Sequence, residues 1–204
     1  MTAYSTLAVT DLMEALAATE PVPGGGSAAA LAGAAAVSVL LMVAGLPAKT
    51  GAAGDAAALA AAAARLRPLR DALIALIDRD AAAYREVVAT FVLPRGSDAE
   101  KAARSAAIQA ATRTATETPL DTMRAGAQAL RDAVTVVRHG RSSARADAGV
   151  AVELLLAVVR GAGLNIDANL ALLKDAASAA RVGDERRQLE ADGTAAAEAI
   201  RRLD

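Results

Sequence analysis

The chain has 204 residues, 54% of them hydrophobic and 22% charged, with a formal net charge of −1. Such a chain buries a sizeable core, is not intrinsically disordered, and carries no electrostatic footprint for nucleic acid. The absence of cysteine and the single His139 exclude a disulfide framework, thiol catalysis and thiolate metal ligation, and leave little for a zinc site.

Only Tyr4, Tyr84 and Phe91 are aromatic. A core of Ala, Val and Leu gains its packing from close backbones, and alanine favours helices, so the fold class is all-α. "MTAYSTLAVTDLMEAL" reads as an amphipathic helix rather than a leader, broken or capped at Thr10-Asp11 and ending before Pro21. After "PVPGGGS", Ser27 stands where a cap or first-turn residue belongs, and a second helix runs to about Leu46. No charge interrupts Pro21 to Ala48, a length that could span a bilayer. Its Gly/Ala/Ser bias and the lack of a basic cluster at either end favour a buried bundle helix instead. Beyond "LPAKTGAAGD", with Asp55 as cap candidate, a long helical pattern reaches Leu93 and should kink or split at Pro68. Ser97 and Glu100 form a capping box for the next helix, which should end near Thr118-Pro119, where another begins and continues to Gly140. "HGRSSARAD" is a loop, a further helix reaches Gly163, "LNIDANLALLKDAASAARV" follows, and a charged helix starts at Asp184. With no hairpin signal or internal repeat, the expectation is one all-helical domain over 1–204, cytoplasmic, built round an Ala-rich central helix. A wholly apolar helix in a chain with so little side-chain bulk also points to a homodimer.

Several polar residues fall at core positions. The seam Leu66, Leu69, Leu73, Leu76 or Ile77, then Val87, Val88 and Phe91, passes through Asp80 and Tyr84. An inward carboxylate is costly unless it is paired or meets a ligand. It is either a hydrogen-bonded helix register or a site. Asp147 opens a similar seam with Val150, Ala151, Leu154 and Val158, where it could equally complement a helix dipole. Lys49 is the only lysine of the first half of the chain and, alone, reads as a surface residue. Arg124, Arg131, Arg138 and Arg145 recur every seven residues, the pattern of a solvated face. His139 reads as a helix-end residue with no assigned role, and Asn165 and Asn169 as capping or helix-crossing hydrogen bonders. Gly24, Gly25 and Gly26 match neither a dinucleotide fingerprint nor a Walker loop. They offer either tight helix packing or a bare helix N-terminus for a flat or anionic ligand.

In series, "PVPGGGSAAALAGA" (21–34), "DRDAAAY" (78–84) with "LP" at Leu93, "ADAGVAV" (146–152) and "GLNIDANL" (163–170) resemble the cyclodeaminase/cyclohydrolase family. Its members include methenyltetrahydrofolate cyclohydrolases and the cyclodeaminase half of formiminotransferase-cyclodeaminase. "RSSARAD" and "LPAKTGAAG" depart from the family pattern, keeping only Asp147 and Lys49. The resemblance implies an all-helical homodimer that takes a tetrahydrofolate derivative and uses no metal or redox cofactor. It also implies catalytic roles for Asp80, Asp147, Lys49 and Tyr84, and substrate binding by Gly24, Gly25, Gly26, Ser27 and Asn165. The implied reaction is hydrolysis of 5,10-methenyltetrahydrofolate to 10-formyltetrahydrofolate. The alternatives are ammonia elimination from formimidoyltetrahydrofolate and a catalytically silent scaffold. Asp80 and Asp147 are expected to share one site walled by "PVPGGGS", within the chain or across the dimer interface.

Overall fold

The computed structural model describes residues 3–203. Among them every regular element is helical: a 3-10 turn at Tyr4–Thr6, then α1 (Val9–Ala17), α2 (Gly25–Gly45), α3 (Ala53–Thr90), α4 (Asp98–His139), α5 (Arg145–Leu170) and α6 (Ala176–Arg201), with a second 3-10 turn at Ser142–Ala144 leading into α5. Helix α2 packs between α3 and α5, α4 closes the ring between the same two, and α6 lies along α4 and α5.

Small residues bring the helices together. Around the fully buried Val37, Leu40, Leu66, Leu73, Leu130 and Leu155, much of the remaining core is alanine. At Gly33 an added Cβ would lie 3.0 Å from Leu73 Cδ2, so α2 and α3 approach closely enough that a side chain there would make Leu73 shift. Two long apolar helices result. The spans Gly25–Gly45 and Ser142–Leu170 are each long and apolar enough to cross a membrane, and half of the most apolar window of each is buried in the bundle.

Both prolines expected to interrupt helices lie inside them. Pro68 sits on the exposed side of α3, where water can satisfy the carbonyl it leaves without a donor. Pro119 is buried in α4 and cannot donate to Ala115 four residues earlier. The Asn169 amide of α5 takes that place, donating to the Ala115 carbonyl at 2.7 Å. A tertiary bond thus replaces a helical one, and α4 continues. The capping box forms as expected, with Ser97 accepting from Glu100 N–H and Glu100 accepting from Ser97 N–H.

Other boundaries differ from expectation. The first segment divides into a 3-10 turn and a nine-residue helix, α5 runs past Gly163 to Leu170, and α6 begins at Ala176 rather than Asp184. Asp55 lies inside the first turn of α3 and contacts His139 Nδ1 at 2.7 Å, tying that end of α3 to the end of α4. The arginine stripe is not merely solvated. Arg124 bonds Glu185 of α6 as well as Asp121, and Arg131 reaches Asp192 of α6.

Candidate active site

The site is built where the N-terminus of α2 meets the middle of α3. Gly24 takes the cap position of α2 in extended conformation, so the N–H groups of the first turn have no helical acceptors. Over this turn hangs Asp80. A Cβ on Gly26 would lie 2.0 Å from Asp80 Oδ1 and 2.5 Å from its Cγ, so only glycine admits the carboxyl there. Ser27 is not the helix cap: its side chain is buried, and its Oγ lies 2.9 Å from the Ile77 carbonyl and 3.0 Å from Asp80 Oδ2.

This pair of contacts couples to a proton. A hydroxyl has one hydrogen to give. With Asp80 protonated, the acid donates to Ser27 Oγ while Ser27 donates to Ile77. With Asp80 ionised, the Ser27 hydroxyl turns to the carboxylate. Desolvation pushes the Asp80 pKa up, against the opposing hydrogen bonds from the Ser27 side chain and backbone. The result is a carboxyl that can hold or release a proton beside a ligand.

The cleft in front of Asp80 has a volume of about 420 Å³ and is lined by Pro21, Val22, Gly24 to Gly26, Ala83, Tyr84, Val87, Phe91, Ala115, Pro119, Asn165, Asn169 and Leu172. Asp80 is the only carboxylate among these residues. Tyr84, 42% exposed, stands one turn from Asp80 at the cleft, and Val88 and Phe91 are exposed rather than seated in the core as the seam suggested. Asn165 anchors its amide on the Gly161 carbonyl, 3.1 Å away, and faces Gly25.

The N-terminal turn supports this wall from outside. Asp78 accepts from Tyr4 N–H at 2.6 Å, and the Tyr4 hydroxyl donates to the Val22 carbonyl while accepting from Arg85. The Val22-Pro23 peptide bond is cis.

Val87, Phe91 and Leu172 also line a second, adjoining cavity of about 520 Å³. Arg95, Lys101, Arg104 and Lys174 face it, with Ser105, Gln109 and Thr112, and no carboxylate is among its lining residues. Sequence reasoning missed these cations. Lys101 and Arg104 stand three apart at the start of α4, but Arg95 lies in the turn before it and Lys174 in the turn after α5, so no single spacing marks the four as one group. Asn169, read as a capping or helix-crossing hydrogen bonder, makes the crossing bond to Ala115 of α4.

Seven of the nine expected site residues therefore gather here: Asp80, Tyr84, Gly24, Gly25, Gly26, Ser27 and Asn165. Two do not. Lys49 follows the C-terminus of α2, where its backbone N–H donates to the His139 carbonyl, and Asp147 stands exposed in the first turn of α5. A single copy does not bring Asp80 and Asp147 into one pocket: α2 and α5 run antiparallel, and the two carboxylates occupy opposite ends of the bundle, so the expected common site would need walls from two copies.

Comparison with known proteins agrees with this architecture. The profile of the formiminotransferase-cyclodeaminase family matches residues 8–188. A methenyltetrahydrofolate cyclohydrolase of Methylorubrum extorquens is 35% identical over 168 residues, covering 82% of this chain and 81% of that protein. The crystal structure of a formiminotetrahydrofolate cyclodeaminase from Thermotoga maritima superposes with a TM-score of 0.87 at 21% identity, over 97% of this chain and 96% of the other. With its fold matched almost end to end and its sequence matched over most of its length, the chain belongs to the formiminotransferase-cyclodeaminase family.

Proposed function

We propose that the protein is a folate one-carbon enzyme that hydrolyses 5,10-methenyltetrahydrofolate to 10-formyltetrahydrofolate, as a single-domain cytoplasmic homodimer. The observation that carries this reading is the desolvated Asp80 in a cleft that adjoins a basic cavity. The bare backbone of Gly24 to Gly26 and the apolar wall of Val87, Pro119 and Leu172 suit a flat pteridine. Arg95, Arg104 and Lys174 suit the carboxylates of its glutamyl end. The relative from Methylorubrum supports the same substrate.

The methenyl carbon is an amidinium carbon, already electrophilic, so the reaction needs proton handling rather than a metal or redox cofactor. As water adds to that carbon, the Asp80 carboxylate takes one proton from it. The bond from the carbon to N5 then breaks, and Asp80 hands its proton to N5. The remaining hydroxyl proton leaves as the formyl C=O forms. Ser27 follows the carboxyl through both states, while Tyr84 and Asn165 hold the water and the tetrahedral intermediate.

Ammonia elimination from formimidoyltetrahydrofolate would use the same carbon, with N10 of the folate in place of water. Incubation with 5,10-methenyltetrahydrofolate, following loss of its absorbance against the uncatalysed rate, tests the main reading. An unchanged rate, with ammonia released from the formimidoyl compound, replaces it with the second. Neither activity leaves a silent ligand-binding scaffold.

A further inference from the structure

Part of the wall of the Asp80 cleft hangs on a single hydrogen bond. Helix α1 buries only Leu12, and residues 18–21 after it are exposed. Pro21 and Val22 line the cleft, and within 19–23 only Pro23 is buried, next to the cap of α2. Among the described residues, the segment 19–23 has one hydrogen-bond partner outside itself, the Tyr4 hydroxyl, which donates to the Val22 carbonyl at 3.2 Å. The direction of that bond is fixed. Arg85 Nη2 donates to the same hydroxyl at 2.8 Å, and its guanidinium lies 5.5 Å from the ring centroid. A guanidinium accepts nothing and a phenol has a single proton, so the Tyr4 proton is left for the Val22 carbonyl.

Tyr4 is itself fastened to α3. Its backbone N–H donates to Asp78 Oδ1 at 2.6 Å, and Ser5 gives both its N–H and its hydroxyl to Asp78 Oδ2. Asp78 and Arg85 stand seven apart and so share one side of α3, while Asp80 and Tyr84 line the cleft from another. The 3-10 turn is thus bound to the helix that carries Asp80, and it holds the wall that faces Asp80. Tyr4, Ser5, Asp78 and Arg85 do not themselves line the cleft. We propose that Tyr4 is a positioning residue, whose hydroxyl sets Pro21 and Val22 against α3 and thereby how tightly the cleft holds its ligand. Asp80 and Ser27 are seated without it, by the Ile77 carbonyl and the space at Gly26. The tether therefore acts on binding and leaves proton transfer alone. A wall that touches ground state and transition state alike changes KM and not kcat. The choice of substrate rests on the folate reading, but the tether does not.

Two experiments test this separately. Tyr4→Phe removes the proton and keeps the ring. It should raise KM for 5,10-methenyltetrahydrofolate by about three- to tenfold, the net worth of one hydrogen bond, with kcat and its pH profile unchanged. Asp78→Ala frees the whole turn from α3 and should do the same, and the double variant should be little worse than either single one. An unchanged KM, a fall in kcat at constant KM, or additive losses overturns the proposal. The tether is also measured without turnover. The chain has no cysteine, so Thr19→Cys carries the only thiol, on an exposed residue just ahead of the wall. A nitroxide attached there should become more mobile when Tyr4→Phe is added. A label equally mobile in both proteins overturns the proposal whatever the kinetics show. If the wild-type protein turns over only the formimidoyl compound, the same KM comparison is made with that substrate. A wild-type protein that turns over neither defeats the folate reading alone, because the label still decides whether Tyr4 holds the wall.

Discussion

At the scale of single residues, Asp80 and Gly26 form one unit. Burial raises the Asp80 pKa above its unfolded value. The neutral acid therefore contributes stability that is fully present below the unfolded value, about 3.9, and is lost as pH rises through the folded one. Asp80→Asn stays neutral throughout. It should melt at or above the wild-type temperature at pH 8, with the gap closing near pH 4, while turnover falls about 100-fold or more. Thermal scans across that range and single-substrate kinetics check both halves. Gly26→Ala should act on the same group by a different route. Its methyl would occupy the space of Asp80 Oδ1, so the carboxyl must swing out of the cleft. Turnover should fall toward the level of Asp80→Asn, and the double variant should be little worse than either single one. Additive losses would mean that the glycine acts on the ligand and not on Asp80.

At the scale of elements, the all-helical class and the order of the helices were legible, because Ala-rich periodicity over long windows leaves little competition. The proline boundaries were not. Proline as a breaker is a local rule, and α4 overrules it with a bond from another helix. Asn169 donates to Ala115 because Pro119 cannot, and no pattern of spacing announces a partner fifty-four residues away. The pair makes a thermodynamic cycle. Asn169→Ala should cost about 1 kcal/mol by leaving the half-buried Ala115 carbonyl without its partner. In a Pro119→Ala background the helix supplies its own donor, and most of that cost should vanish. Chemical denaturation of the four proteins measures the coupling. Pro68 gives the contrasting case, since its exposed position needs no rescuer. Pro68→Ala should stabilise α3 by up to about 3 kcal/mol, the penalty for proline in a helix interior.

At the scale of the whole molecule, the site was legible only in part because two kinds of information were missing. Glycine, serine and the inward carboxylate at α2 and α3 could be found from a seam, since a polar residue at a core position shows in one helix alone. The basic cavity could not, because Arg95, Lys101, Arg104 and Lys174 converge only when α3, α4 and the turn after α5 are assembled. Asp147 was found as a residue, but not that a single copy holds it at the far end of the bundle from Asp80. Its seam runs into a stripe that faces outward, and a helix read from sequence does not say whether its apolar face meets its own chain or another copy. The α2 and α5 spans, each with half of its most apolar window buried, pose the same ambiguity for the fold. Burial by a second copy has a signature that burial in a bilayer lacks in plain buffer. Dimerisation stabilises by mass action, so the melting temperature should rise with protein concentration. Leu164→Glu would place a charge on the exposed apolar face of α5. It should abolish that concentration dependence and shift the protein to a monomer in sedimentation, while helicity is retained, because Leu164 is exposed in the single chain. A melting temperature independent of concentration in the wild-type protein, or a Leu164→Glu variant that stays dimeric, would place the contact elsewhere on the bundle.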